Sequence, residues 1–445
     1  MNRRLFLTTV AAATAAPLGA AQRESARPSR RKPNIVLFLV DDMGRDWIGC
    51  YGAAQSTPHV DAFAALGVRF ETAYSMPSCT PTRVELLTGR YPFRTGWVDH
   101  YDVPRWGGKG LDWERETTFT RLLRDAGYAT GITGKWQIND FRAYPDALKR
   151  HGFDEDCMWT GVENGNPASA QRYADPFLQI NGERKTHRGK YGPDIVNDFA
   201  RDFVRRHRDR PFLLYYPSIL VHGPGEPTPD NRANPLRDEK GLFAGMLSYM
   251  DKLFGTFIKE VDGLGLADNT FIVFAADNGS PIPGSLNGVP FPPGKGRLTD
   301  LGVHVPFIVR APWLTTSARV STDLIDFSDV FPTLCELAGV TVPAGLRLDG
   351  RSFVGSLTGR AKNKRAWIYA QRGTSRMVRE HRYKLDSDGS LFDLSVDPFE
   401  DTDLRTSRDA DVVAARTRLS AVLNGLPADG PVPFEGYKPR RGTGG

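Results

Sequence analysis

The chain has 445 residues, 40% hydrophobic and 25% charged, a composition that excludes a disordered, fibrous or disulfide-framed miniature protein. Its length accommodates one large core and a smaller second unit. The formal net charge of +6 sits at one end. Residues 1–32 hold Arg3, Arg4, Arg23, Arg27, Arg30, Arg31 and Lys32 against the single acid Glu24, so 33–445 carries 51 basic and 51 acidic residues, which argues against a nucleic-acid-binding body.

In chain order, Arg3-Arg4-Leu5-Phe6-Leu7 and the Ala-rich stretch to Ala21 read as a charged start, a short apolar region and small residues for cleavage. Residues 1–21 are thus a signal peptide resembling the twin-arginine type. The polar, basic segment 22–32 reads as a tether. No apolar run reaches the ~20 residues of a membrane-spanning helix, so stable membrane insertion is not expected. The expected location is outside the cytoplasm, periplasmic or extracellular, with a twin-arginine translocase as partner. The cysteines Cys50, Cys79, Cys157 and Cys335 are scattered, without metal-binding spacing, and allow two bridges at most.

Ile35–Val40 (IVLFLV) is a continuous apolar run of strand length, suited to a strand buried on both faces of a parallel sheet. Thr57–Leu66 reads as a helix, as does Thr82–Leu87 with Pro81 in its first turn. Thr117–Ala126 is helical, followed by a strand at Tyr128–Thr133. Pro211–Tyr216, Phe271–Ala276 and Val305–Val309 are further buried strands. Leu242, Phe243, Met246, Met250, Phe254, Phe257 and Val261 recur at the spacing of a long amphipathic helix. This alternation predicts an α/β fold, a large and mostly parallel sheet between helices over 33–350. Beyond it, short strands at Trp367–Gln371, Ser375–Arg379, Arg382–Leu385 and Ser390–Leu394 precede a helix at Ala410–Leu423. They predict a small antiparallel-sheet plus helix unit over 351–430, with 431–445 a disordered tail.

Two buried strands end in oxygen-bearing pairs, Asp41-Asp42 and Asp277-Asn278. Functional groups of parallel sheets gather beyond the strands' carboxyl ends. Carboxylates brought together there repel and call for a cation, and an all-oxygen set calls for a hard one, Ca²⁺ or Mg²⁺. Taken singly, such pairs are also ordinary caps and turns. Cys79 opens a helix, where the positive end of the helix dipole and nearby Arg83 favour anionic chemistry. Trp97, Tyr101, Trp106 and Trp113 fit either a wall that stacks on sugar rings or simple packing over the core.

Cys79-Thr80-Pro81-Thr82-Arg83 followed by Leu87-Thr88-Gly89-Arg90 resembles the signature of the type I sulfatases. The resemblance extends through Pro33–Asp42, Gly127–Trp136, Ala276–Gly279, Gly294–Val309 and Arg376–Pro398. It implies an alkaline phosphatase-like fold and a sulfuric ester hydrolase. It also implies conversion of Cys79 to Cα-formylglycine by a cytoplasmic formylglycine-generating enzyme before export. The hydrated aldehyde would attack sulfur with one hydroxyl, and the other would let the sulfated intermediate collapse and release sulfate. Carried over residue by residue, Asp41, Asp42, Asp277, Asn278 and position 79 hold the ion, Ca²⁺ in preference to Mg²⁺. Arg83 steadies the nucleophile, Lys135 binds sulfate, and His222 and Lys295 act on the leaving-group side. The implied substrate is a sulfated carbohydrate or similar organic sulfate.

The chain also departs from the family pattern. Gln137 stands where a histidine, thought to take a proton during sulfate release, is usual, and an amide cannot act as a base. His100 and His304 are candidates to replace it, and Gln137 itself would contact substrate. Thr82 replaces a usual Ser, Asp300 a common Glu, and Leu301-Gly302-Val303-His304 a usual Gly-Gly-x-Arg. Two alternatives accompany the sulfatase reading. One is a phosphoester or phosphonate monoester hydrolase, and the other is a protein that binds sulfated glycans without turning them over.

Overall fold

The computed structural model describes residues 31–438 except 235, 316 and 360–364. The leader, most of the tether and the last seven residues lie outside the described residues. From Lys32 onward the chain forms one compact unit. No helix among the described residues is long and apolar enough to cross a membrane.

A ten-stranded mixed sheet runs in the order Arg319–Asp326, Val68–Tyr74, Phe307–Arg310, Thr270–Ala276, Asn34–Val40, Phe212–Pro217, Ala129–Lys135, Glu155–Trp159, Phe177–Ile180 and Glu183–Thr186. The five strands from Thr270–Ala276 to Glu155–Trp159 are parallel, whereas Phe307–Arg310 pairs antiparallel with both neighbours. The apolar runs read as strands are these central ones. Every residue of Asn34–Val40 and Thr270–Ala276 is buried, because helices cover both faces. The long predicted helix is Glu239–Gly263, and its Phe254 packs edge-on against Phe38 and Phe63. Each fully buried apolar side chain contributes about 1.5–3 kcal/mol. The six from Ile35 to Val40 therefore supply about 10 kcal/mol or more, enough to hold two carboxylates at the strand's end against a penalty of several kcal/mol per buried ion.

The C-terminal segment forms the expected four-stranded antiparallel sheet, Ile368–Arg372, Ser375–Arg379, Tyr383–Asp386 and Leu391–Asp393, with the helix Ala410–Asn424. This sheet is no free-standing body. Its apolar side chains share a core with Tyr74, Met76, Tyr91, Phe93 and Val303. Arg379 also reaches Asp300 at 3.2 Å, across the boundary expected at 350.

One expectation is corrected here, and one open alternative is decided. The tail from 431 is not wholly disordered, because Phe434 and Tyr437 are buried against Trp97 and Tyr101. The aromatic segment serves packing: Trp97 and Trp113 are buried, and Tyr101 stacks on that tail. All four cysteines are free thiols.

Candidate functional site

Four adjacent parallel strands deliver the predicted residues to one edge. Val40 pairs with Ala276, so Asp41 and Asp277 leave their strands side by side. Ala129–Lys135 ends in Lys135 itself, and Phe212–Pro217 runs on to His222. Asp42 adopts φ +62°, the left-handed region that Asp tolerates better than most residues. That turn lets successive carboxylates face the same space. Gly134 has φ +127°, and a Cβ there would lie 1.8 Å from the Pro217 carbonyl oxygen, so only glycine lets the two strand ends close up beside Lys135.

The helix over the sheet edge is Cys79–Thr88, and every residue in it is buried. Several of its polar side chains tie it to the site. The Thr82 hydroxyl donates to the Asp277 carbonyl at 2.7 Å, and Thr80 Oγ1 accepts from the Tyr101 N–H at 3.0 Å. Arg83 donates twice to Asp277 Oδ2, at 3.2 and 2.7 Å, and to the Lys135 carbonyl at 3.1 Å. Cys79 Sγ lies 3.4 Å from Asp41 Oδ1 and 3.7 Å from Asp42 Oδ1. Burial pushes this thiol well above its ordinary pKa, and Asp277 and Asp41 push it further against Lys135. The helix start and Arg83 therefore do not yield the anionic cysteine their sequence positions suggest, because burial and the neighbouring carboxylates outweigh them.

Lys135 Nζ contacts Asp41 Oδ2 at 2.6 Å, and Lys295 Nζ contacts Asp42 Oδ2 at 2.5 Å. Lys295 arrives on a loop tied to the Asp277 strand's exit, with the Gly294 and Lys295 N–H groups both donating to Ser280 O. A Cβ on Gly294 would meet Leu301 O at 2.0 Å, so the loop's close approach requires that glycine. Lys295 Nζ also lies 3.3 Å from His222 Nε2, while His222 Nδ1 is 2.7 Å from Gly223 O. These contacts fit a neutral imidazole with its proton on Nδ1. Burial, aided by Lys135 and Lys295 and opposed by Asp42, lowers the His222 pKa to about 4.

The three carboxylates respond differently to sharing this space. Against burial, Lys135, His222 and Arg83 hold Asp41 well below the usual range. Asp42 is also lowered, by His222 and Lys295. Burial and the neighbouring Asp41 raise Asp277 to about 7. Asp41, Asp42, Cys79 and His222 each offer a ligand atom within 4.8 Å of the others. Asn278 Nδ2 donates to Asp42 Oδ1 at 2.9 Å, but Asn278 Oδ1 is buried without a hydrogen-bond partner. Buried acceptors are rarely left so, and the donor set of carboxylate and amide oxygens fits a hard divalent cation.

The two replacement candidates part company. His304 is committed elsewhere, with Nδ1 2.9 Å from Asp300 Oδ2 and Nε2 2.6 Å from Glu71 O. Asp300 also binds Arg45 and Arg379, so these departures form a strut beneath the small sheet. His100 stands beside Tyr101, whose N–H binds Thr80, and its ring packs edge-on against Trp106 at 5.6 Å. Burial lowers its pKa to about 3, and the charges of Lys135, Lys295 and His222 add to the effect. Gln137 is buried at φ +69°, its Oε1 unpartnered and its side chain bonded to Asp102. Sequence reasoning missed Arg172, whose guanidinium lies 3.4 Å from His222 Nδ1 and 4.1 Å from the Trp159 ring. It belongs to no motif and had no signal.

Residues 33–340 match the family model described as Sulfatase. The chain belongs to the sulfatase family. Steryl-sulfatase of Mus musculus is 31% identical over 448 residues, covering 81% of this chain and 70% of that protein. N-acetylgalactosamine-6-sulfatase of Homo sapiens is 31% identical, covering 76% and 68%. Among solved structures, Ps i-CgsB superposes with a TM-score of 0.79 at 26% identity, covering 91% of this sulfatase and 94% of that chain. Its complex with k-i-k-neocarrahexaose matches with a TM-score of 0.78. The phosphonate monoester hydrolase of Agrobacterium radiobacter, at 21% identity and TM-score 0.65, shares the fold. The chain is a sulfuric ester hydrolase.

Proposed function

We propose that this sulfatase is exported and removes sulfate from a sulfated carbohydrate, using formylglycine made from Cys79 and a divalent cation, Ca²⁺ in preference to Mg²⁺. The observation that carries this is the burial of Cys79 Sγ between Asp41 and Asp42, beside the orphaned Asn278 oxygen and within a ring of cations. When bound, the cation supplies Lewis-acid activation of the nucleophile and charge for the sulfate oxygens. Asp41, Asp42, Asp277 and Asn278, with position 79, would hold it. A carbohydrate as leaving group is supported by the N-acetylgalactosamine-6-sulfatase relatives and by the neighbour's neocarrahexaose complex.

The chain's own groups divide the remaining work. Asp41, Asp42 and Asp277 offset Lys135, Arg83 and Lys295, so a divalent ion leaves the site with an excess of positive charge that favours a sulfate monoester. Lys135, 1% exposed, serves the deep side. Lys295 and His222 are 27% and 25% exposed, which puts the open side, and the leaving alcohol, with them. Asp42 keeps Lys295 protonated above its ordinary value against burial, so its Nζ can give a proton to the leaving oxygen while neutral His222 accepts from it. His100 takes the role of the base absent at Gln137 and receives the proton released with sulfate. This assignment favours turnover over silent glycan binding.

The test is mass spectrometry of the tryptic peptide spanning Phe70–Arg83 in exported protein, together with aryl sulfate turnover with and without a chelator. An aldehyde at position 79 and chelator-sensitive sulfate release are expected. A plain thiol in active protein, or full activity after chelation, overturns the proposal. Faster hydrolysis of aryl phosphate than aryl sulfate would transfer the site to phosphate esters.

A further inference from the structure

A cavity of about 1020 Å³ opens between the Lys295 loop and the small C-terminal sheet, its walls including Asp99, Arg297, Thr299, Arg372, Arg376 and Tyr437. It adjoins the catalytic cluster through two chain neighbours. Gly296 on its wall follows Lys295, and Asp99 precedes His100. Its acids have cationic or N–H partners, Asp386 in Lys384 at 2.9 Å, Asp388 in the Ser390 N–H at 2.9 Å and Asp99 in the His100 N–H at 2.7 Å, although Asp386 Oδ1 accepts no hydrogen bond. Its donors are less fully partnered. Arg297 is exposed, and its guanidinium has no hydrogen bond or ion pair among the described residues. The Thr299 hydroxyl is buried without a partner, as is Arg376 Nε, although Arg376 Nη1 is spent on the Leu423, Leu426 and Pro427 carbonyls. Arg372 is pinned by donation to Gly296 O and lies 3.6 Å from Asp99, while about a third of its side chain stays open to the cavity.

An exposed, unpaired Arg297 guanidinium and a buried, unpartnered Thr299 hydroxyl beside acids that already have partners describe a place for an anionic acceptor, and the planar arginine fork suits sulfate and carboxylate alike. We propose that this cavity binds a second anionic group, carried on the sugar next to the one bearing the scissile sulfate, with Arg297 as principal partner and Arg372 beside it. The inference rests on the sulfatase reading above and narrows its substrate to a multiply charged oligosaccharide. Because Arg297 lies on the Lys295 loop and Arg372 on the small C-terminal sheet, that sheet takes part in choosing the substrate.

The test compares kcat/KM for three disaccharides that share one scissile sulfate. The second ring is neutral, sulfated or uronic, and each is tried with wild type, R297A and R297K. Wild type should prefer one charged form over the neutral form by about tenfold or more, the size expected of a charge-assisted contact. The better of the two identifies the anion. R297A should bring that ratio near one, with R297K in between. A wild-type ratio within about threefold for both charged forms, or a ratio that R297A leaves alone, overturns the inference while the sulfatase reading stands. Absence of sulfate release from all three by aldehyde-bearing protein refutes that reading itself, and this inference with it.

Discussion

Arg83 ties the signature helix to the sheet edge, and removing it tests the site as a piece of architecture. Its guanidinium is 1% exposed and makes three hydrogen bonds, two to Asp277 and one to the Lys135 carbonyl, with Asp41 at 3.6 Å. Arg83→Ala leaves Asp277 buried without its main partner and an orphaned carbonyl at the strand end. Breaking a buried pair in this way costs about 3–5 kcal/mol. Arg83→Lys keeps the charge but cannot reach Asp277 and the Lys135 carbonyl in one planar fork, so about half of that loss is expected. Urea unfolding followed by tryptophan fluorescence, in chelator so that ion loading does not differ between variants, gives the stabilities. Aryl sulfate turnover, assayed separately without chelator and with the divalent ion supplied, should be lost in R83A. If both variants unfold within about 0.5 kcal/mol of wild type, the range of ordinary surface changes, the claim that Arg83 holds the strand ends together is refuted.

Lys295→Ala should keep the fold, since its side chain is partly exposed, and lower kcat on aryl sulfate by about 10²–10³, as for loss of one transition-state donor. A change of less than threefold would remove Lys295 from the leaving-group role. His100→Ala should lower turnover by about 10²–10⁴, and adding Gln137→His should restore part of it, because histidine tolerates the left-handed backbone at 137. An undiminished H100A single variant would show that His100 is not the base. Burial raises Asp46 to about 7 against about 3.9 in an unfolded chain. The folded state then binds more protons than the unfolded state between about pH 4 and 7, and stability falls as pH rises through that window. Asp46→Asn should abolish that slope and raise stability at pH 8 by up to about 4 kcal/mol, the full value of a shift of about three units. Parallel pH–stability curves for the two proteins would contradict this.

Much of this molecule was legible in its sequence for a local reason. Continuous apolar runs such as Ile35–Val40 and Phe271–Ala276 have few states other than strands buried on both faces. The residues that follow them, Asp41-Asp42 and Asp277-Asn278, must then emerge at the carboxyl edge. Strands with mixed burial carried no such signal: Val68–Tyr74 alternates irregularly between buried and half-buried positions, and Arg319–Asp326 between buried, half-buried and exposed ones. Their pairing, like the antiparallel direction of Phe307–Arg310, depends on partners far away in the chain. The same holds within the site. Resemblance to the sulfatase motifs marked Cys79, Arg83, Lys135, His222 and Lys295, but tertiary packing separated His100 from His304. One histidine stands among the site's charges, and the other is locked by Asp300 and Glu71. Packing alone also turned the expected loose tail into a brace, with Tyr437 hydroxyl donating to Asp99 O at 3.1 Å, and brought Arg297 and Arg372 to the lining of one cavity. Sequence determines which segments must be buried and which residues leave them. Only the closed three-dimensional chain decides which distant groups share the low-dielectric space where charge and hydrogen bonding count most.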